Sequence, residues 1–372
     1  MRALGAVLVA ALPVVAGGSG GTGGSPQLKE RARIHSARAE AQDVLTVGGV
    51  SARRGEKASG WMTVPDGVDP GTRIPVSVVH GARPGKVLAL VAGTHGYEYT
   101  SILALPRLLP RLDPARMSGS VIMVHMAGPP TFYGRRIYYG PDGKNLNRVY
   151  PGRADGTLSD RIAYVITREV IDKATHLADL HCGDGNESLR PYTYWQVSGQ
   201  PEVDEASKQM ALAFGLDHIV VDRERPKDPA RSMYTSNTAV LRGKPALTTE
   251  SGGMGLTDEA SVRAQEAGAL SLIAHLGIMD APSLRVEHPV WIDRHEVLRA
   301  TASGIWHPVV EKMQSVAAGT LIGRVTDPFG KVLQEVRAPF AGEILYVVAT
   351  PPISEGEPVG FVGQVADGEP RP

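Results

Sequence analysis

Three short apolar runs, each closed by glycine or polar residues, constrain the fold of this chain most. They occupy residues 87–92, 174–182 and 245–247. Short, continuous apolar runs of this kind are typical of buried parallel strands. In open α/β sheets, ligands bind at the carboxyl ends of such strands, so we expect the residues that close the three runs to converge at one sheet edge.

Metal-ligand and acid-base side chains stand at all three of these positions. His95 and Glu98 follow the first run, His181 closes the second, and Glu250 follows the third. Two histidines and one glutamate would leave the fourth tetrahedral position of zinc open for water, and a second carboxylate could then move protons. The same spacing recurs at His181 and Asp184, so position at a strand end, and not spacing, selects the set. The pattern predicts a metal-assisted hydrolase.

Composition excludes some partners and leaves others open. The 372 residues suffice for one or two domains, and Lys plus Arg equals Asp plus Glu at 39 each. A zero net charge gives no support for a nucleic-acid or membrane partner. Residues 1–16 combine one positive charge with an apolar stretch, which predicts a signal peptide and export, or a cytoplasmic protein if this leader is not a signal.

Helix signals alternate with the predicted strands over residues 45–282. Apolar periodicity and capping residues predict helices over 161–174, 203–214 and 257–275. This alternation indicates an α/β fold whose mainly parallel or mixed sheet is flanked by helices. We therefore assign 45–282 to a catalytic domain and 17–44 to a linker and N-terminal extension.

The composition changes over residues 283–372, where glycine and proline become frequent and apolar runs are short. Segments 319–325 and 356–362 form an internal repeat, and the turn at 327–331 lies between them. Two β-rich halves suggest a small all-β domain that resembles a biotinyl/lipoyl-carrier fold. Lys331 lies in the turn, but its neighbours do not form a modification motif, so we interpret it as an ordinary turn residue.

Two further ligand-type side chains are assigned to the core. Cys182 is the only cysteine, so no intramolecular disulfide can form. It follows His181 directly, and adjacent residues of a strand point to opposite faces, which argues against Cys182 as a fourth ligand. His125 lies within the apolar run 121–126 and is interpreted as a core histidine.

Several segments in this order resemble one enzyme family. They are residues 93–98, 145–148 and 179–181, Glu250 and the C-terminal β region. On these segments the chain resembles the succinylglutamate desuccinylase/aspartoacylase family, a branch of the zinc carboxypeptidase superfamily. The resemblance implies one zinc ion held by His95, Glu98 and His181, with Glu250 as general base.

The resemblance also implies roles for the segment upstream of the second ligand strand. An arginine there would stabilise negative charge on the former carbonyl oxygen, and of Arg135 and Arg136 we assign Arg136. Asn147 and Arg148 resemble the pair that grips a substrate carboxylate, for which a planar guanidinium is well suited. Asn145 stands where many relatives have an aspartate that orients a zinc-bound histidine.

These residues favour a zinc-dependent deacylase that cleaves the carbon-nitrogen bond of an N-acyl amino acid or a similar small amide bearing a carboxylate. A zinc carboxypeptidase acting on short or cell-wall peptides would use the same machinery. A non-catalytic exported binding protein is a third possibility. The expected partner is therefore a small N-acyl amino acid or a short peptide, and an oligomer is possible.

Overall fold

Most strands of the protein belong to one large mixed sheet. The computed structural model describes residues 43–371, so the predicted signal peptide (1–16) lies outside the described residues, as does most of the predicted linker (17–44). The strands up to the last predicted ligand segment are β1 (Val44–Val47), β2 (Val50–Arg53), β3 (Glu56–Val64), β4 (Thr72–His80), β5 (Arg83–Ala92), β6 (Ser118–Val124), β7 (His176–Gly183), β8 (Glu187–Leu189), β9 (Tyr192–Gln196), β10 (His218–Asp222) and β11 (Ala246–Gly253).

Helices alternate with these strands, and eight further strands follow them. The α-helices are α1 (Tyr99–Leu108), α2 (Pro129–Tyr133), α3 (Leu158–Ile166), α4 (Pro201–Phe214), α5 (Thr235–Val240) and α6 (Glu259–His275). The C-terminal strands are β12 (Val290–Arg299), β13 (Gly304–Pro308), β14 (Ser315–Val316), β15 (Leu321–Thr326), β16 (Val332–Arg337), β17 (Gly342–Val348), β18 (Pro352–Ile353) and β19 (Pro358–Val365).

The three predicted apolar runs lie side by side at the centre of the large sheet. Its strand order is β14-β17-β19-β12-β10-β9-β11-β7-β5-β6-β4-β3, with β8 paired to β17. β7 is parallel to both of its neighbours, β5 and β11. Apolar side chains of these strands are fully buried on both faces of the sheet, which explains why each run is continuously apolar instead of alternating. The predicted α/β fold with a mixed sheet flanked by helices is confirmed.

The ends of two helices follow the sequence signals closely, whereas the helix predicted over 161–174 is α-helical only to Ile166 and π-helical over Thr167–Ile171. α4 ends at Phe214, and Gly215 takes the left-handed φ of 94° that favours glycine. α6 begins at Glu259, and its N-cap is Asp258, whose side chain accepts a hydrogen bond from the Ser261 N–H. None of the described helices has the length and apolar character needed to cross a membrane.

The C-terminal strands are shared between two sheets. β12, β14, β17 and β19 extend the large sheet, while β13, β15, β16 and β18 form a four-stranded sheet. Apolar side chains that include Trp306, Ile344 and Val359 pack in a core among these strands. An all-β C-terminal region is thus present as predicted. The described residues from Val44 onward form one compact unit, and a domain boundary between residues 282 and 283 stays a prediction.

Candidate active site

Adjacent strands bring the second and third predicted segments into direct register. His181 of β7 and Glu250 of β11 are paired residues of the parallel ladder. Paired residues of neighbouring strands lie on the same face of a sheet, so both side chains reach the same space. Both residues line one cavity.

A tight turn after β5 places the first predicted segment, with His95 and Glu98, beside this space. Gly93 has φ 65°, and a Cβ atom there would lie 2.8 Å from a side-chain carbon of Ile102, so the turn excludes other residues. Glu98 occupies the N-cap position of α1 and is fully buried. The His95 N–H donates to Glu98 Oε2 at 3.0 Å, which holds the two side chains together.

His95, Glu98 and His181 come together as a possible metal site. One ligand atom from each lies within 4.8 Å of the others, and all three residues are buried. Nδ1 of His95 lies 2.7 Å and Nδ1 of His181 lies 2.5 Å from Oε1 of Glu98. Two imidazole nitrogens and one carboxylate are a donor set that zinc accepts, so the residues fit the ion that the sequence predicts.

The Nε2 nitrogens of His95 and His181 have buried polar neighbours. Nε2 of His95 lies 3.1 Å from Asn145 Oδ1, and Nε2 of His181 lies 3.0 Å from Asp179 Oδ2. At His95, an acceptor at Nε2 places the proton there and leaves the Nδ1 lone pair free for a metal. Asn145 therefore makes the contact that its position in the sequence predicts, through an amide instead of a carboxylate.

Opposite charges stabilise the ionised form of Glu98. Burial alone would raise the pKa of its carboxyl, but His181 and His95 lower that pKa to about 2. Glu250 shows the opposite balance. Burial raises its pKa well above the usual range; the nearby His181 opposes this rise, and repulsion from Glu98 and Glu187 adds to it. Perturbed carboxyl groups of this kind are characteristic of acid-base sites.

The cavity around these groups has a volume of about 510 Å³. That is within the usual range for small-molecule sites, roughly 300–1,000 Å³. Its lining joins the three predicted segments to strands of the C-terminal region, from which Val297, Arg299 and Tyr346 contribute. Six tyrosines line it, namely Tyr138, Tyr139, Tyr192, Tyr194, Tyr234 and, from β17, Tyr346.

The predicted carboxylate-binding pair lies in this cavity. Asn147 and Arg148 belong to a short 3-10 turn, Leu146–Arg148, which Asn145 caps by accepting the Asn147 N–H. Oδ1 of Asn147 accepts the Thr235 N–H at 2.9 Å, and its Nδ2 lies 3.3 Å from His181 Nε2. The pair is thus fixed beside the possible metal site.

Arg148 is accompanied by two arginines that the sequence analysis missed. Arg225 and Arg299 also line the cavity, and the guanidinium carbons of Arg148 and Arg225 lie 4.6 and 3.8 Å from the centre of the Tyr234 ring. Burial lowers the pKa of Arg148, and repulsion from Arg225 and Arg299 adds to this effect. Such a group of cations favours an anionic ligand group.

The structure does not bring Arg136 to the cavity. Its side chain is exposed and is not part of the lining. The Arg136 N–H donates to the Thr131 carbonyl, and Arg135 takes a left-handed φ of 51°, so the chain turns outward after α2. Arg190, another polar residue near a ligand strand, pairs with Asp217 instead of entering the cavity.

Two acidic residues of the cavity were visible in the sequence but not selected. Asp184 directly follows β7, the strand that carries His181, and Glu187 is the first residue of β8; both line the cavity. The strand-end rule that selected the other residues applies to them as well. Burial raises the pKa of Glu187 to about 7, although the Tyr138 hydroxyl donates to it at 2.9 Å.

Comparisons with known proteins identify one enzyme family. Residues 84–276 match the model of the succinylglutamate desuccinylase/aspartoacylase catalytic domain. The chain is 30% identical, over 68% of its own length and 74% of the relative's, to the N-alpha-acetyl-L-2,4-diaminobutyric acid deacetylase of Halomonas elongata.

Solved structures share the fold. The product-bound ectoine utilization protein EutE (DoeB) of Ruegeria pomeroyi superposes with a TM-score of 0.74 and 24% identity, covering 87% of this chain and 99% of that one. A succinylglutamate desuccinylase from Silicibacter sp. TM1040 gives a TM-score of 0.73 and 24% identity, covering 83% of this chain and 95% of that one. The family match and the Halomonas relative together show that this chain belongs to the succinylglutamate desuccinylase/aspartoacylase family.

Proposed function

We propose that this protein is a zinc-dependent deacylase that hydrolyses the amide bond of an N-acyl amino acid. The observation that carries the proposal is one cavity lined by residues of a possible zinc site, a separate carboxyl group at Glu250 and the guanidinium of Arg148. The relative from Halomonas elongata is named as a deacetylase of an N-acetylated amino acid, which supports the same class of substrate.

His95, Glu98 and His181 would hold the zinc, which would supply Lewis-acid polarisation and a water of pKa about 7. Glu250 takes a proton from the attacking water and delivers it to the leaving amine nitrogen. Its position beside His181 in the strand ladder puts it within the same cavity, and its burial keeps its carboxylate basic enough for this role.

Arg148 and Asn147 orient the substrate through its carboxylate. A guanidinium can donate two parallel hydrogen bonds to a carboxylate, and the Tyr234 ring and the Asn147 carbonyl hold Arg148 in place. The C-terminal strands close part of the cavity, and this enclosure favours a small amide over a longer peptide.

The proposal is tested by assaying the zinc-loaded protein on N-acetyl and N-succinyl amino acids and on dipeptides. Glu250→Gln should keep its zinc and lose at least about a hundredfold in kcat. Glu202→Gln, a matched change at an exposed position of α4, is the control. Hydrolysis of dipeptides alone would replace the deacylase with a carboxypeptidase, and full activity of Glu250→Gln would refute the mechanism.

A further inference from the structure

Arg299 brings a guanidinium group to the cavity from the C-terminal strands. It is the last residue of β12, and its side chain is exposed and lines the cavity. The family model ends at residue 276, so Arg299 lies outside the matched segment. Within residues 43–371 its guanidinium forms no ion pair, and its Nη1 donates to the Gly356 carbonyl at 2.9 Å. Since a guanidinium carries several N–H donors, most of them are available for a ligand.

Backbone hydrogen bonds hold the end of β12 at the edge of the cavity. The Ala300 N–H donates to the Glu357 carbonyl at 3.0 Å, and the Gly356 N–H donates to the Ala300 carbonyl at 2.8 Å. Gly356 and Pro358 line the same cavity as Arg299. The guanidinium therefore projects from a fixed strand end, and such an anchor places a ligand-binding side chain more precisely than a loop does.

The three arginines of the cavity differ in whether a neighbour neutralises their charge. Arg225 forms an ion pair with Asp222. Arg148 has no carboxylate partner in the described part of the chain, and its Nη1 donates to the Asn147 carbonyl at 2.7 Å. Arg148 and Arg299 are therefore the two cavity arginines whose charge a ligand would neutralise.

The charges of Arg148 and Arg299 act on each other. Burial lowers the pKa of the Arg148 guanidinium, and repulsion from Arg225 and Arg299 lowers it further. Two positive charges in one cavity repel each other, whereas an anion between them is attracted by both. A carboxylate has two oxygen atoms and accepts hydrogen bonds from two guanidinium groups at once. The pair of arginines thus favours a carboxylate.

We propose that Arg299 completes the carboxylate-binding site, so that the carboxylate of the N-acyl amino acid lies between the guanidinium groups of Arg148 and Arg299. Arg299 is then a specificity-determining residue, because it selects amides that bear a free carboxylate against amides that do not. The inference rests on the proposed deacylase function and adds a residue to its substrate site. It gives the C-terminal β region a direct part in substrate binding.

Two ligands that differ only in the carboxylate test this site. N-acetyl-L-alanine carries the carboxylate, and N-acetyl-L-alaninamide has an uncharged amide of similar shape in its place. Calorimetry on zinc-loaded Glu250→Gln protein should give a Kd about tenfold or more lower for the acid. Adding Arg299→Gln should weaken binding of the acid by about tenfold and binding of the amide by less than about twofold. Arg299→Lys, which keeps the charge, should restore part of the lost affinity.

Arg294→Gln is the matched control, because Arg294 is an exposed arginine of the same strand that does not line the cavity. It should leave both Kd values unchanged. Equal weakening of the acid and the amide by Arg299→Gln, or no weakening of either, would overturn the proposed contact.

A double-mutant cycle tests whether the two arginines share one carboxylate. The loss of acid binding in Arg148→Gln/Arg299→Gln should differ by about twofold or more from the product of the two single losses, because groups that contact a common partner are coupled. A loss equal to that product would mean that Arg299 attracts the anion without sharing its contact with Arg148, which would overturn the shared site.

Hydrolysis by the wild-type protein decides the proposed function separately. If N-acyl amino acids are hydrolysed while Arg299→Gln leaves the preference for the acid unchanged, the deacylase function is supported and the role of Arg299 is refuted. If no N-acyl amino acid is hydrolysed and Arg299→Gln still weakens binding of the acid selectively, the carboxylate site is supported and the deacylase function is refuted.

Discussion

Replacing Asn145 tests whether its contact with Nε2 of His95 controls metal affinity. In the structure Asn145 Oδ1 lies 3.1 Å from His95 Nε2 and also accepts the Asn147 N–H at 2.8 Å. Asn145→Ala removes both contacts, whereas Asn145→Asp keeps both and adds a negative charge. The two variants should therefore change zinc affinity in opposite directions.

The magnitude follows from the role of such partners in metal sites. Loss of the partner that orients a ligating histidine typically costs 10- to 100-fold in metal affinity, which is about 1.4 to 2.7 kcal/mol. We expect Asn145→Ala to weaken zinc binding within that range. Asn145→Asp should tighten it by about tenfold, because a hydrogen bond to a charged acceptor is roughly twice as strong as a neutral one.

The measurement is a competition titration against a chromogenic zinc chelator, which requires no substrate. Thermal unfolding of each zinc-free variant shows whether the fold is intact. Equal zinc affinity in the wild type and both variants would mean that Asn145 does not orient His95. Weaker binding in both variants would point to the packing of the Leu146–Arg148 turn instead of to the His95 contact.

Two further outcomes can be tested. Arg148→Lys should raise KM by about tenfold, because lysine cannot bind a carboxylate through two parallel hydrogen bonds. Arg136→Lys is the matched control, and an equal rise in KM for that variant would mean that Arg136 also contacts the substrate. Burial lowers the pKa of His125 to about 4 from 6.5, so as the pH falls below 6.5 the unfolded chain takes up the proton first and stability declines. Between about pH 7 and pH 5 this should cost about 2 kcal/mol of the free energy of unfolding. Urea denaturation of the wild type and of His125→Gln at both pH values should show this loss of stability only in the wild type. Equal pH dependence of the two proteins would contradict the role assigned to His125.

The centre of the fold could be predicted because its signals are local. A strand buried on both faces must be continuously apolar, and this identified β5, β7 and β11. The residues that follow or end these strands then had to meet, as His95 and His181 do. The metal-binding and acid-base chemistry of histidine and glutamate then led to the hypothesis of a metal-assisted hydrolase.

Other parts of the site depend on tertiary packing that no short segment encodes. Arg225 follows β10, and Arg299 ends β12, where no motif marks either residue. Arg136 shows the converse case, because a motif-like neighbourhood does not fix where a side chain points. That direction depends on the turn after α2 and on the backbone of Arg135.

The C-terminal wall of the cavity has a consequence for how members of the family diverge. The family model matches residues 84–276, yet Val297, Arg299 and Tyr346 line the cavity from beyond that segment. Two relatives could therefore share all the residues proposed here as zinc ligands and general base and still select different amides. Substrate preference can evolve in the β region while the hydrolytic groups stay constant, so swapping that region between relatives is a direct route to a changed specificity.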